Sequence, residues 1–280
     1  MQKNITKLGI FLRPQTSLET FLAICNILQK ANIEVILESS SANDISFTPS
    51  YPLDQLIQKV DAIASIGGDG TLLSLIRKVY GSHIPVFGIN TGKLGFLTAI
   101  NPFELQDFLK LLTTGNYLIE EHMMLEAQIN NQNFFAINEF LISKNNLTSG
   151  ILNIQAYIDG EIFNTYKGDS LIIATPTGST AYNISAGGSI VYPLCKNILL
   201  TPVAAHTLTQ RPMVLDHTLT LNFKVSTQSI VIIDGQETIV TNPNDIITIK
   251  SAQKPALLIQ QKQRNYFKVL KEKFQWGQND

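Results

Sequence analysis

Three glycines surround one carboxylate in Gly67-Gly68-Asp69-Gly70-Thr71, and no other segment combines residue types so suited to phosphate chemistry. Before it runs Asp61 to Ile66, short, apolar and partly β-branched; after it, Leu72, Leu73, Leu75, Ile76 and Val79 recur within Thr71 to Val79. That order predicts a strand, a glycine turn and a helix. Glycines in such a turn adopt positive φ and expose their N–H groups, and the following helix adds the positive end of its dipole, so an anion is favoured there. Asp69 is the odd member, because a carboxylate beside phosphate repels it unless it serves a metal ion or a sugar hydroxyl. A tight turn with Asp69 as helix N-cap explains the same five residues, and this segment alone leaves both readings open.

Two further segments carry groups that could grip a polar ligand. From Gly168 to Gly188 an apolar strand leads into a dense set of hydroxyls and glycines, able to bond a polyhydroxylated molecule from several directions; it also reads as a helix-capping connection. Asn138 and Glu139 interrupt an otherwise apolar strand predicted over Phe134 to Ile142. Neighbouring strand residues face opposite sides, so a strand end with one of the pair in solvent is the plainer reading. Other motifs fail. Gly88 to Leu94 is one residue short of a P-loop and has Leu94 where Ser or Thr holds Mg²⁺. Gly68 to Leu73 lacks the third glycine of a dinucleotide fingerprint. His83, His122, His206 and His217 show no zinc spacing and read as structural.

A chain of 280 residues with 44% hydrophobic content is long enough for about two domains with real cores. A formal charge of −1, without basic runs, offers no broad attraction for nucleic acid or acidic membranes, so a small-molecule partner is expected. The amino terminus lacks the apolar core of a signal peptide, and no stretch reaches membrane-spanning length, which points to a cytosolic protein. Cys25 and Cys195 cannot build a disulfide framework and are expected as buried thiols. The sequons at Asn4, Asn146 and Asn183 are then chance matches.

From residue 7 to about 112, short apolar runs alternate with helical periodicity, the pattern of an α/β unit with a mostly parallel sheet. Strands are predicted over Lys7 to Arg13, Glu34 to Glu38, Asp61 to Ile66 and Ile84 to Ile89, with Asp44 to Pro52 irregular. Thr16-Ser17-Leu18-Glu19 reads as a capping box for a helix to about Ala31 that buries Leu18, Phe21, Leu22, Cys25 and Leu28. From about Glu121 the texture becomes antiparallel β, with Asp159-Gly160 and Asp234-Gly235 as hairpin turns and Tyr266 to Phe274 as a last helix returning to the first domain.

Taken in order, Gly67 to Thr71, Gly92-x-x-Gly95-Phe96-Leu97, Asn138-Glu139, Thr175 to Tyr182, Arg211-Pro212 and Asp234-Gly235-Gln236 resemble the NAD kinase family over nearly the whole chain. The resemblance implies a Rossmann-like α/β domain over 1–115, an antiparallel β-rich (β-sandwich) domain over 116–258, and a segment 259–280 returning to the first, with the active site between the domains. It implies transfer of the γ-phosphoryl group of ATP to the 2′-hydroxyl of the adenosine ribose of NAD, with a divalent metal, usually Mg²⁺. Asp69 matches the catalytic aspartate; an ordinary carboxylate, pKa about 3.9, is too weak to deprotonate a ribose hydroxyl in advance, so it orients the hydroxyl and accepts the proton late. Gly67, Gly68, Gly70 and Thr71 match the phosphate cradle, and Phe96 a ring lying against adenine. Asn138 and Glu139 match the pair that contacts adenosine. Asp169, Thr180, Ala181, Tyr182, Asn183, Ile184, Ser185 and Gln236 match dinucleotide-binding positions, and Lys167 a position linked to choice between NAD and NADH. In this family a neighbouring subunit of a homodimer or homotetramer often completes the site, which would give Asp169 and Ala204 to a partner's ligand. A lipid kinase sharing the glycine signature, and a noncatalytic NAD(P) sensor on the same scaffold, are the rival readings.

Overall fold

In the computed structural model, which describes residues 2–41, 45–92, 95–97, 100–146 and 150–277, apolar runs without alternation become strands buried on both faces. Strand β1 (Lys7–Leu12) hides five of its six residues. It is followed by α1 (Leu18–Lys30), β2 (Glu34–Glu38), β3 (Ser50–Tyr51), α2 (Leu53–Leu56), β4 (Ala62–Ile66), α3 (Asp69–Lys78), β5 (Val86–Ile89), α4 (Leu105–Thr113) and β6 (Leu118–His122). A second series contains β7 (Leu125–Ile129), β8 (Gln132–Ala136), β9 (Glu139–Lys144), β10 (Leu152–Ile158), β11 (Glu161–Gly168), β12 (Ser170–Ala174) and α5 (Tyr182–Ser185). It continues with β13 (Asn197–Val203), β14 (Met213–Asp216), β15 (Leu221–Val225), β16 (Ser229–Ile233), β17 (Glu237–Thr241) and β18 (Ile247–Ser251). Strand β19 (Ala256–Gln260) and helix α6 (Tyr266–Phe274) close the chain.

The chain divides into two compact units, one of residues up to Glu120 with those from Leu257 onward, the other Glu121–Ala256. The first is built on a sheet of order β3-β2-β1-β4-β5-β19-β6, parallel from β3 through β19. Register aligns Leu12 with Ile66 and Ile66 with Ile89, so three strands end side by side. Phe21, Leu28, Phe87 and Phe108 belong to its core. The second unit has two antiparallel six-stranded sheets, β11-β10-β15-β18-β7-β8 and β14-β13-β12-β9-β16-β17. Leu125, Ala156, Phe223 and Ile249 of one sheet share a core with Phe140, Ile173, Leu200 and Val231 of the other, which makes a β-sandwich. Asp159 and Gly160, the two-residue loop between β10 and β11, both have positive φ, as such a hairpin turn requires; Asp234 and Gly235 also have positive φ, in a loop that Gln236 lengthens to three residues.

Several expectations are corrected. Helix α1 is capped by Ser17, whose side chain accepts from Thr20 N, while Thr16 bonds back to Arg13. Its buried face is Phe21, Ile24, Cys25 and Leu28; Leu18 and Leu22 are exposed because the helix is rotated toward Ile24. Strand β3 lies inside the stretch expected to be irregular, of which Asp44 falls outside the described residues. The strand expected over Phe134 to Ile142 is broken at Ile137-Asn138 into β8 and β9, because the chain leaves one sheet and enters the other. Cys25 is buried, but Cys195 is only half-buried; both are free thiols. The sequon at Asn146 runs into Leu147 and Thr148, also outside the described residues.

Candidate functional site

In the first unit, β1 is followed by β2 on one side and β4 lies on its other side, so the chain reverses its direction of sheet growth between β1 and β4. Open α/β sheets bind ligands at the carboxyl ends of strands beside such a switch. The glycine turn leaves β4 at that end. Gly67 has φ of 154° and donates its N–H to Ile89 O at 3.0 Å; a Cβ there would meet Thr71 Oγ1 at 2.3 Å. Gly68 is the N-cap residue of α3 in extended conformation, and Asp69 is the first helical residue. The reading of Asp69 as N-cap therefore gives way. Gly70 is exposed and Thr71 half-buried, its N–H donating to Gly68 O at 3.0 Å.

The Asp69 carboxylate is held from elsewhere in the chain. Its Oδ2 accepts from Phe96 N at 2.8 Å and Leu97 N at 3.3 Å. A Cβ built on Gly95 would lie 1.9 Å from Oδ1, so only glycine lets this segment approach so closely. Lys93 and Leu94, used above to set the P-loop aside, lie outside the described residues. Behind the segment, the Arg264 guanidinium donates to Phe96 O. Burial draws the Arg264 pKa down, and the carboxylates of Glu120 and Asp69 act against that fall. The Phe96 ring packs on Phe274 with centroids 5.7 Å apart, and Lys273 Nζ stands 5.7 Å from the Phe96 centroid. Arg264, Lys273 and Phe274 escaped sequence reasoning: the fold brings them from far along the chain, and no motif marks them.

In the second unit, Asn138 and Glu139 sit where β8 gives way to β9, and both are buried, which sets aside the alternative reading of a strand end with one of them in solvent. Alternation fails because Asn138 precedes the strand. The hydroxyl-rich loop is tied to them. Thr175 N donates to Asn138 O at 2.9 Å, Thr175 Oγ1 donates to Ile137 O, and Gly178 N donates to Thr175 Oγ1 at 3.0 Å. A Cβ on Gly178 would lie 2.1 Å from Asn138 O, so this glycine permits the contact. Asp234, the first residue of the turn between β16 and β17, accepts from the N–H groups of Ile137, Asn138 and Glu139. Burial first, and the Asp234 charge second, push the Glu139 carboxyl up to about 8.

From Thr175 the chain makes a 3₁₀ turn over Thr177–Thr180 and then α5. Thr180, Ala181 and Ile184 are half-buried, and Tyr182 and Ser185 are exposed. Asn183 is buried and its amide is engaged within the loop: Nδ2 donates to Ser179 O and Ser189 O, and Oδ1 accepts from Thr201 Oγ1 at 2.6 Å. Gln236 is exposed, its N–H donating to Ile233 O at 2.9 Å.

The remaining sequence-predicted residues gather at the opposite end of β12. Glu139 stands beside Ala174 and Ser170 beside Val203, so Asp169 lies five residues along the strand from that end, roughly 17 Å at the usual rise. Asp169 pairs with Lys144 Nζ at 2.7 Å, and its N–H donates to Val203 O. The Lys167 carbonyl accepts from His206 N at 2.8 Å, and the Lys167 side chain is exposed. Ala204 holds φ of 49°, and a Cβ on Gly168 would sit 2.9 Å from Ala204 O. Two clusters therefore exist in this unit: Asn138, Glu139, Asp234 and the Thr175 loop at one end, Lys167, Asp169 and Ala204 at the other. Among the described residues no group of three or more His, Cys, Asp or Glu is placed to hold a metal ion.

Residues 8–117 match the model of the ATP-NAD kinase N-terminal domain, and residues 137–261 that of the C-terminal domain. The chain is 48% identical to the NAD kinase of Helicobacter hepaticus, covering 98% of this chain and 97% of that protein. It is 44% identical to the NAD kinase of Wolinella succinogenes with the same coverage. Among solved structures, yeast NADH kinase complexed with NADH has a TM-score of 0.86 at 23% identity, covering 100% of this chain and 90% of that one. An NAD kinase from Archaeoglobus fulgidus in complex with ATP has a TM-score of 0.79 at 26% identity, covering 96% of this chain and 98% of that one. With both family domains matched in their proper order and relatives aligned from end to end, the chain belongs to the NAD kinase family.

Proposed function

We propose that this NAD kinase works through Asp69, which orients the 2′-hydroxyl of the adenosine ribose of NAD while the γ-phosphoryl group of ATP is transferred to it. The observation that carries the reading is the Asp69 carboxylate, fixed at the phosphate-suited turn by two peptide N–H groups. Phosphoryl transfer through a loose transition state asks mainly for positioning and charge neutralisation, so a rigidly held carboxylate that accepts the proton late is the appropriate device. Gly67, Gly68, Gly70 and Thr71 supply the turn beside which phosphates settle, favoured by the amino terminus of α3. Support for the two ligands comes from the similar structures, one a complex with NADH and one with ATP.

Asn138, Glu139 and the loop through Tyr182 offer an amide, a carboxyl group, hydroxyls and an exposed ring, a set suited to adenosine. The lipid-kinase reading ends with the family match. A divalent cation fits the donor set in one way: Mg²⁺ keeps most of its waters and rides on phosphates with one or two carboxylates, and Asp69 stands at the turn where phosphates are expected. When bound, such an ion neutralises phosphate charge. Asp169 and Ala204, a strand's length from Glu139, are explained if they serve the ligand of a neighbouring subunit in a homodimer or homotetramer. A cytosolic setting belongs to the same proposal: no described helix is long and apolar enough to cross a membrane, and both cysteines are free. Incubation with NAD, ATP and Mg²⁺ is expected to yield NADP, with NADH and polyphosphate run in parallel to define acceptor and donor range. Calorimetric binding of NAD without product would establish the noncatalytic sensor instead.

A further inference from the structure

Glu139 is 7% exposed, and its Oε2 is buried without a hydrogen-bond partner. A buried ionised carboxylate with an empty acceptor is costly, and the group avoids that cost by keeping its proton. The surroundings favour this outcome. Asp234, 6% exposed, accepts from Asn138 N at 2.8 Å and Glu139 N at 3.1 Å through Oδ1, and from Ile137 N at 3.2 Å through Oδ2. Three donors on one carboxylate suit its ionised, acceptor-only form. Asp234 N in turn donates to Glu139 O at 3.0 Å. The turn between β16 and β17 thus presents a charged Asp234 to Glu139, while β12 presents Ala174 and then Thr175, neither of which titrates. Two adjacent buried carboxyl groups divide into one ionised and one neutral.

We propose that Glu139 meets the dinucleotide as a neutral carboxylic acid that donates a hydrogen bond to a ligand oxygen, with Asp234 as the positioning residue that holds the Asn138-Glu139 backbone for it. A neutral donor suits a ligand whose phosphates are anionic, since a second carboxylate at this position would repel them. The inference rests on the reading of Asn138 and Glu139 as part of the NAD site.

The sign follows from the raised pKa of Glu139, about 8. Below that pH the donor is present; as pH rises through it the proton is lost and NAD binding weakens. Calorimetric titration of the full-length protein with NAD between pH 6 and pH 9.5 is expected to show Kd rising about tenfold for each pH unit above roughly 8. Glu139→Gln, neutral at every pH, removes that rise. Asp234→Asn moves its midpoint to lower pH, because the charge opposing ionisation is gone; a purely structural role for Asp234 would weaken binding equally at every pH. A wild-type Kd that stays flat to pH 9.5, or a rise that persists in Glu139→Gln, overturns the proposal. Should Asp234→Asn fail to fold, the wild-type and Glu139→Gln series decide together. Failure of the underlying site reading looks different: Glu139→Gln and Asn138→Ala would both leave NAD affinity unchanged at pH 7.

Discussion

At Asp69 the proposed role depends on the positions of single atoms. Its Oδ2 takes peptide N–H groups from Phe96 and Leu97, and Gly95 stands so near that an added Cβ would overlap the carboxylate at 1.9 to 2.3 Å. Gly95→Ala must therefore move either the carboxylate or the segment that holds it. Displacement by about 1 Å costs a catalytic group on the order of a hundredfold. We expect kcat to fall by about that factor while the thermal midpoint stays close to wild type, measured by steady-state kinetics beside a thermal melt. A variant with undiminished kcat would mean that the Gly95 approach has no part in placing Asp69. The glycine turn and the Asn138-Glu139 pair announce themselves in sequence by residue type, because polar or flexible groups stand out against apolar runs. Arg264 and Asp234 announce nothing of their roles, since what matters about them is which distant peptide groups they reach.

At the scale of elements, β9 is the member that joins site to core. Glu139 opens it, and the next residue, Phe140, is fully buried in the shared core of the two sheets. Phe140→Ala is expected to cost about 3–5 kcal/mol, a large part of the roughly 5–15 kcal/mol that stabilises an ordinary domain. Chemical denaturation checks this, and a loss below about 1 kcal/mol would contradict the packing described. Strands β1, β2, β4 and β5 were legible from apolar runs, and β2 and α6 coincide with their predicted spans. What resisted reading were places where tertiary context outweighs local pattern. The run from Phe134 to Ile142 is continuous in hydropathy, yet it serves two sheets and breaks at Asn138. The α1 face was misjudged because Ile24 and Leu22 offer similar hydrophobicity, and only packing against the sheet chooses between them.

For the whole molecule, the separation of Asp169 and Ala204 from the Glu139 end of β12 has a consequence for assembly. If those residues complete a neighbour's site, subunits with different lesions must rescue one another. Co-refolding Asp69→Asn with Asp169→Ala is expected to restore about a quarter of wild-type turnover, the share given by random pairing in a two-fold dimer with one intact site per mixed pair. Activity no greater than the sum of the two variants alone would leave Asp169 to its own subunit. If the proposed role is right, Asp69 serves the chemistry of transfer and contributes little to holding NAD. The most direct measurement sets NAD binding by calorimetry beside ATP-dependent NADP formation in Asp69→Asn. The proposed role of Asp69 predicts Kd for NAD within a few-fold of wild type and turnover lower by about 10²–10⁴. Turnover near wild type, with NAD still bound, would contradict it.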